Sequence, residues 1–111
     1  MSSDRVIEIN TDSVAWESSD SKGVFYKSLR YDKETKAGAV LIRMEPGSDY
    51  PEHEHTRGED FIVLEGELII GNKTFPAQSY VYSPPQSVHH PRTEKGCVLF
   101  AVFHGKIINL K

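Results

Sequence analysis

The stretch CVLFAVF, Cys97 to Phe103, has no polar residue in either of its alternate sets. A strand with one wet face alternates apolar and polar side chains, because successive side chains leave opposite faces. DFIVLEGELII, residues 60–70, is similar: Phe61 and Val63 share a face with Glu59, while Ile62 and Leu64 point the other way. Such strands must be covered on both sides, by a second sheet, by the N-terminal arm or by another subunit. In a chain of 111 residues a homodimer is the economical expectation. No window carries the i, i+3, i+4, i+7 apolar pattern of a helix. Short β-rich runs between Gly and Pro turns point instead to an all-β sandwich or barrel.

RVIEIN, residues 5–10, alternates enough to predict a short strand, ended by Asn10 to Ser13. Trp16 is expected to plug one end of the barrel. Gly23 opens GVFYKSLRYD, in which Phe25, Leu29 and Tyr31 are expected on one face. A polar turn from Asp32 to Lys36 leads into GAVLIRM, so residues 24–44 read as a hairpin. Without repeats or a linker, residues 1–111 are expected to form a single domain, with an N-terminal arm over about 1–22 and a barrel core over about 23–104.

A formal net charge of −3 gives no basic patch for nucleic acid, and no apolar run approaches the ~20 residues that span a bilayer. The beginning, MSSDRVIEIN, lacks the basic and apolar regions of a signal peptide, and the single Cys97 excludes an intrachain disulfide. A cytoplasmic location is the resulting expectation, with Cys97 a buried small hydrophobe.

Chemistry concentrates in GSDYPEHEHTRGEDFIVLEG, Gly47 to Gly66. In a strand His53 and His55 leave the same face, about two rises of ~3.3 Å apart, so both imidazoles can converge on one ion. Glu59, from the next strand, can add a carboxylate, and His89, in YSPPQSVHHP after a Pro-Pro turn, is a fourth candidate. Two His and one carboxylate with open positions suit a non-haem iron, while neutral imidazoles and a carboxylate also bind Zn, Mn, Ni or Cu. One divalent transition metal ion held by His53, His55, Glu59 and His89 is therefore expected. Phe61, on the Glu59 face, is expected to line a substrate pocket, and Arg43 is a second pocket candidate. His90 should point away from the ion, and His104 should be exposed. Arg57, Glu67, Arg92 and Lys95 read as solvated turn charges.

These residues carry a family resemblance. Gly47, five residues, His53-x-His55, three residues, Glu59, six residues and Gly66 fit the first cupin motif without a gap. Pro84, Gln86 and His89 stand in the frame of the second motif, where Gln86 replaces a glycine, Gln78 the leading glycine and Thr93 an asparagine. Gln78 and Gln86 are thus the places to look for backbone strain. LIRMEPGS, EHEHTRGEDFIVLEGEL and PP…HHPRTEKGCVLF are most similar to ChrR-like cupins, over roughly Trp16 to Phe103. Acetylacetone-cleaving dioxygenases look like relatives too. The resemblance implies a small double-sheet jelly-roll β-barrel. It also implies a metal-dependent dioxygenase acting on a compact carbonyl or diketone compound, or alternatively a metal-dependent sensing or small-molecule-binding module.

Overall fold

The computed structural model describes residues 5–110, and strands dominate it. They are β1 Glu17–Ser18, β2 Val24–Tyr31, β3 Gly38–Met44, β4 His53–His55, β5 Glu59–Ile70, β6 Lys73–Pro76, β7 Tyr80–Ser83, β8 Ser87–His89, β9 Cys97–Phe103 and β10 Ile107–Asn109. One 3-10 turn, Thr11–Ser13, precedes them, and there is no α-helix among the described residues. β1, β2, β3, β9 and β5 lie side by side in the larger sheet; β5 also pairs β7 along its first half and β6 along its second. β10, β4 and β8 form a smaller sheet. Ile69 of β5 and Arg92, beyond β8, exchange backbone hydrogen bonds of 2.7 and 2.9 Å, which ties the far half of β5 to the chain leaving the smaller sheet. The architecture is the expected all-β, double-sheet jelly-roll barrel.

Inward side chains of the larger sheet make the core: Val24, Met44, Phe61, Val63, Leu68, Cys97, Leu99 and Ala101. Each large one contributes roughly 1.5–3 kcal/mol through apolar burial. Burial also pushes the Cys97 thiol up to about 11, against a hydrogen bond from Thr93 that lowers it, so this cysteine is an inert part of the core.

The β2–β3 hairpin is present as expected, but the face assignment within it is not. Ser28 pairs Val40 and Arg30 pairs Ala39, so Leu29 is an extra residue in a bulge. The bulge flips the alternation: Phe25 lies on the outer face, whereas Tyr31 returns to the Phe103 side, with ring centroids 6.5 Å apart. RVIEIN forms no strand. Its alternation finds no neighbour to pair with, and Val6 is 84% exposed. Trp16 is no plug either. It sits outside the larger sheet, with the Lys27 ammonium 4.7 Å and the Arg43 guanidinium 5.0 Å from its ring. Lys27 Nζ donates to the Thr11 carbonyl at 2.7 Å, which fastens the arm to β2. The rest of that outer face carries a cross-strand row of Leu41, Phe100, Ile62 and Tyr80.

Candidate metal centre

β4 is three residues long, HEH, and its alternation decides the site. His53 and His55 are buried on one face while Glu54, between them, faces the other way beside Val88. His53 pairs directly with His89 of β8, so the smaller sheet presents three imidazoles to the interior. The larger sheet answers with Glu59, the first residue of β5, on the face of Phe61 and Val63. The turn between β4 and β5 closes through a Gly58 N–H to His55 carbonyl bond of 3.2 Å. Gly58 has φ +89°, and a Cβ there would stand 2.8 Å from the Ser83 carbonyl, so both backbone and space call for glycine.

The ligand atoms of His55, Glu59 and His89 all lie within 4.8 Å of one another. His55 Nε2 is 3.2 Å from Glu59 Oε1, yet neither His55 nitrogen makes a hydrogen bond, nor does Nε2 of His89. Buried polar atoms left without partners cost about 1–3 kcal/mol each, so donors gathered this way suit an ion at their common focus. His53 stands beside this set, its ring 4.6 Å from that of His55 and 6.1 Å from that of His89. Its Nδ1–H donates to the Pro51 carbonyl at 2.9 Å, which leaves the Nε2 lone pair free. A backbone carbonyl fixing the tautomer in this way is how metal-binding imidazoles are commonly held. The residues present therefore fit a divalent transition metal.

Burial governs the electrostatics. It drives the His55 pKa down to about 3, with His53 and His89 adding repulsion. Burial also lowers His53, against the raising effect of the Pro51 bond, and lowers His89, where His53 contributes as well. Glu59 is pushed up to about 8, first by burial and then by the neighbouring Asp60. Without a metal the neutral-pH site thus holds neutral imidazoles and a protonated carboxyl. The imidazoles are already in their ligand form, and Glu59 must give up a proton to join them.

Above the set opens a cavity of about 660 Å³ whose walls include Val40, Ile42, Met44, Phe61, Leu99 and Phe103. Phe61 lines it, as the Glu59 face implied. Arg43 does not. Ile42 and Met44 take the inner positions of β3, so alternation sends Arg43 outward, where it lies 4.7 Å over Phe25 as well as over Trp16. Tyr80 and Tyr82 are exposed on that same outer side. His90 is a surface residue with Nε2 2.7 Å from Asp49, and His104 is exposed and 2.7 Å from Asp60. Among the lining residues that the sequence candidates leave out are Tyr50 and Asp20. Tyr50 stands three residues before His53 in the sequence; Asp20 arrives from the β1–β2 turn, with no local pattern to mark it. Gln78 and Gln86 adopt φ of 78° and 70°, so the left-handed turns survive the loss of glycine. Gln86 N–H donates to the His55 carbonyl at 2.8 Å, which secures the ligand strand.

Residues 4–108 match the family described as the ChrR cupin-like domain. A DNA damage-repair/toleration protein of Arabidopsis thaliana is 26% identical over 84 residues, which span 70% of this chain and 27% of that relative. Among solved structures, a Methylibium petroleiphilum protein assigned as an acetylacetone dioxygenase matches with a TM-score of 0.91 at 19% identity, over 100% of this chain and 85% of that one. An acetylacetone dioxygenase from Acinetobacter johnsonii matches at 0.82 and 15% identity, over 100% and 80%. A chain of the Rhodobacter sphaeroides complex of SigE with the anti-sigma ChrR matches at 0.72 and 25% identity, over 85% and 51%.

Proposed function

Because this chain belongs to the ChrR cupin-like domain family, we propose that it is a small metal-dependent dioxygenase acting on a compact carbonyl compound of the diketone type. In this reading His53, His55, Glu59 and His89 hold one divalent transition metal ion, one of Fe, Zn, Mn, Ni or Cu. The observation that carries the reading is the placement of unpartnered His55 and His89 nitrogens and a buried carboxyl at the floor of an apolar cavity. The two acetylacetone dioxygenase likenesses support it.

Bound there, the ion would supply Lewis acidity toward ligand oxygens and, if redox-active, the electron transfer that dioxygen chemistry needs. The chain's own residues do the rest. The imidazoles stay neutral because burial opposes their protonation. Glu59, holding its proton at neutral pH, would have to give it up to join the imidazoles as a ligand. Phe61, Leu99 and Phe103 exclude water and shape the space for a compact molecule. Reconstitution with ferrous iron should give oxygen uptake with 2,4-pentanedione that is lost in His55→Ala. No uptake with any small diketone by iron-loaded protein would overturn the proposal.

The likeness to the SigE–ChrR complex favours a second reading, a metal-dependent sensing or binding module. It would show as saturable ligand binding by the metal-loaded protein without oxygen uptake. The apolar row on the outer face of the larger sheet fits a homodimer contact, and the mass of the protein in solution tests that.

A further inference from the structure

Among the described residues, the buried side-chain atoms without a hydrogen-bond partner are both ring nitrogens of His55, Nε2 of His89 and the hydroxyl of Ser83. The nitrogens belong to the metal centre. The hydroxyl belongs to the last residue of β7, which is 2% exposed. Keeping a hydroxyl buried without a partner costs free energy, and an alanine there would avoid that cost.

Sheet register identifies the neighbour. Ser83 pairs directly with Glu59, and Val81 pairs with Phe61. Directly opposed residues of antiparallel strands share a face, with Cβ atoms about 4.5–5.5 Å apart. β7 alternates accordingly: Tyr80 and Tyr82 are exposed, while Val81 packs on the core and Ser83 is buried. Of Glu59, Phe61 and Val81, the inward side chains that these strands set around Ser83, only the Glu59 carboxyl is polar. On its other flank Glu59 is paired with Phe103 of β9, which has no polar side-chain atom to offer. The serine backbone is held in place, because Gly58 packs so close that a Cβ there would stand 2.8 Å from the Ser83 carbonyl. Ser83 is not among the residues lining the cavity, so it sits behind Glu59 rather than against a ligand.

A carboxylate has about four acceptor sites, more than one ion occupies. Carboxylate ligands are accordingly held by hydrogen bonds from their surroundings, which fix their orientation. In the structure Glu59 leans toward His55, with Oε1 3.2 Å from Nε2, and the Ser83 hydroxyl makes no bond to it. Serine has three staggered rotamers and its hydroxyl hydrogen rotates freely, so the donor can turn to an ionised carboxylate.

We propose that Ser83 is a positioning residue of the metal centre: its hydroxyl donates to the carboxylate of Glu59 and holds that ligand toward the ion. The inference deepens the reading given under Proposed function and rests on its assignment of Glu59 as a ligand.

Two measurements on the full chain test it: zinc affinity, by competition against a chromophoric chelator, and melting of the metal-free protein. Ser83→Ala should weaken zinc binding by roughly 10-fold or more, the range usual for losing an outer partner of a ligand. The same change should leave the melting temperature of the metal-free protein level or raised, because it removes a buried hydroxyl that had no partner. Glu59→Ala should weaken zinc binding too, and Ser83→Ala added to it should cost no further affinity, since the group it acts through is gone. Unchanged zinc affinity in Ser83→Ala would overturn the inference and leave the metal centre intact. A lower melting temperature of metal-free Ser83→Ala would overturn it by making the serine structural, and so would an equal loss of affinity with and without Glu59. Unchanged affinity in Glu59→Ala would remove Glu59 from the ligand set, and the inference with it. A wild type that binds no zinc would overturn the metal centre as a whole.

Discussion

His90 and His104 stand at the surface, each with Nε2 2.7 Å from an aspartate oxygen, while His55 and His89 lie inside with nitrogens that bond to nothing. Partners are present where water could have served and absent where their loss is expensive. A free surface imidazole costs little, because solvent replaces any bond it lacks. A buried one cannot be rescued that way. The contrast shows what the interior imidazoles are arranged for. Neighbours that could satisfy one another instead share a focus, with His55 and Glu59 3.2 Å apart but not hydrogen-bonded. Asp60, adjacent to Glu59 in sequence, is turned outward and accepts from both Tyr80 and His104. One step along β5 separates a satisfied carboxylate from an expectant one.

The largest expected effect tests the interior half of that contrast. His55→Ala or His89→Ala should lower metal affinity by on the order of 100-fold or more, beyond the 10–100-fold typical of losing an outer partner of a ligand. Competition against a chromophoric chelator reads this directly. The same measurement on His104→Ala should show no change, and a loss there would erase the distinction.

Titration of the metal-free protein comes next. Glu59 is raised from 4.5 to about 8, so the folded state holds that proton more tightly, and stability is lost as the pH rises through 8. The interior imidazoles are lowered from 6.5, His55 to about 3, so the unfolded chain takes up their protons first, and stability is lost as the pH falls below 6.5. Three imidazoles outweigh one carboxyl on the acid side, which puts the stability maximum near the ordinary imidazole value of 6.5. Metal should reverse the alkaline limb, because it favours the ionised carboxylate, so metal-loaded protein gains stability from 6.5 toward 8. Melting temperatures across pH, with and without chelator, check both signs.

A smaller effect concerns the turn that sets His55 against Glu59. Gly58→Ala combines a left-handed φ with a 2.8 Å approach to the Ser83 carbonyl, and should cost about 2 kcal/mol or more in urea unfolding. Gly71→Ala, at φ +61° with nothing within 4 Å, should cost only about 1 kcal/mol. Equal losses would show that the site turn is not specially constrained. Smallest of all, His90→Gln should change stability by no more than about 0.5 kcal/mol, in a salt-dependent way, as exposed pairs do.

Much of this arrangement could be read before the fold was known, wherever the information is local. Period-two spacing put Glu59, Phe61 and Val63 on one face, and the structure buries all three. The 24–44 hairpin follows from two β-rich runs around a polar turn. The failures share a different cause. RVIEIN has strand periodicity, but a strand exists only where another strand accepts its hydrogen bonds, and none does. Leu29 is one extra residue, enough to reverse the face of Tyr31, and β-branched and aromatic composition gives no warning of it. Arg43 lies in a strand whose sequence looks uniformly apolar, and only the inward positions of Ile42 and Met44 on either side show that it faces outward. Trp16 and Asp20 are placed by tertiary contacts of the arm and of the β1–β2 turn, which no short window contains.

The most direct test of the interior cluster is elemental analysis of protein purified without added metal, comparing wild type with His55→Ala and His104→Ala. The expected result is a stoichiometric transition metal in wild type and in His104→Ala, and its absence from His55→Ala. Metal retained by His55→Ala, or a wild-type protein that takes up none even when ferrous iron or zinc is supplied, would contradict the assignment of the unpartnered nitrogens and Glu59 to an ion.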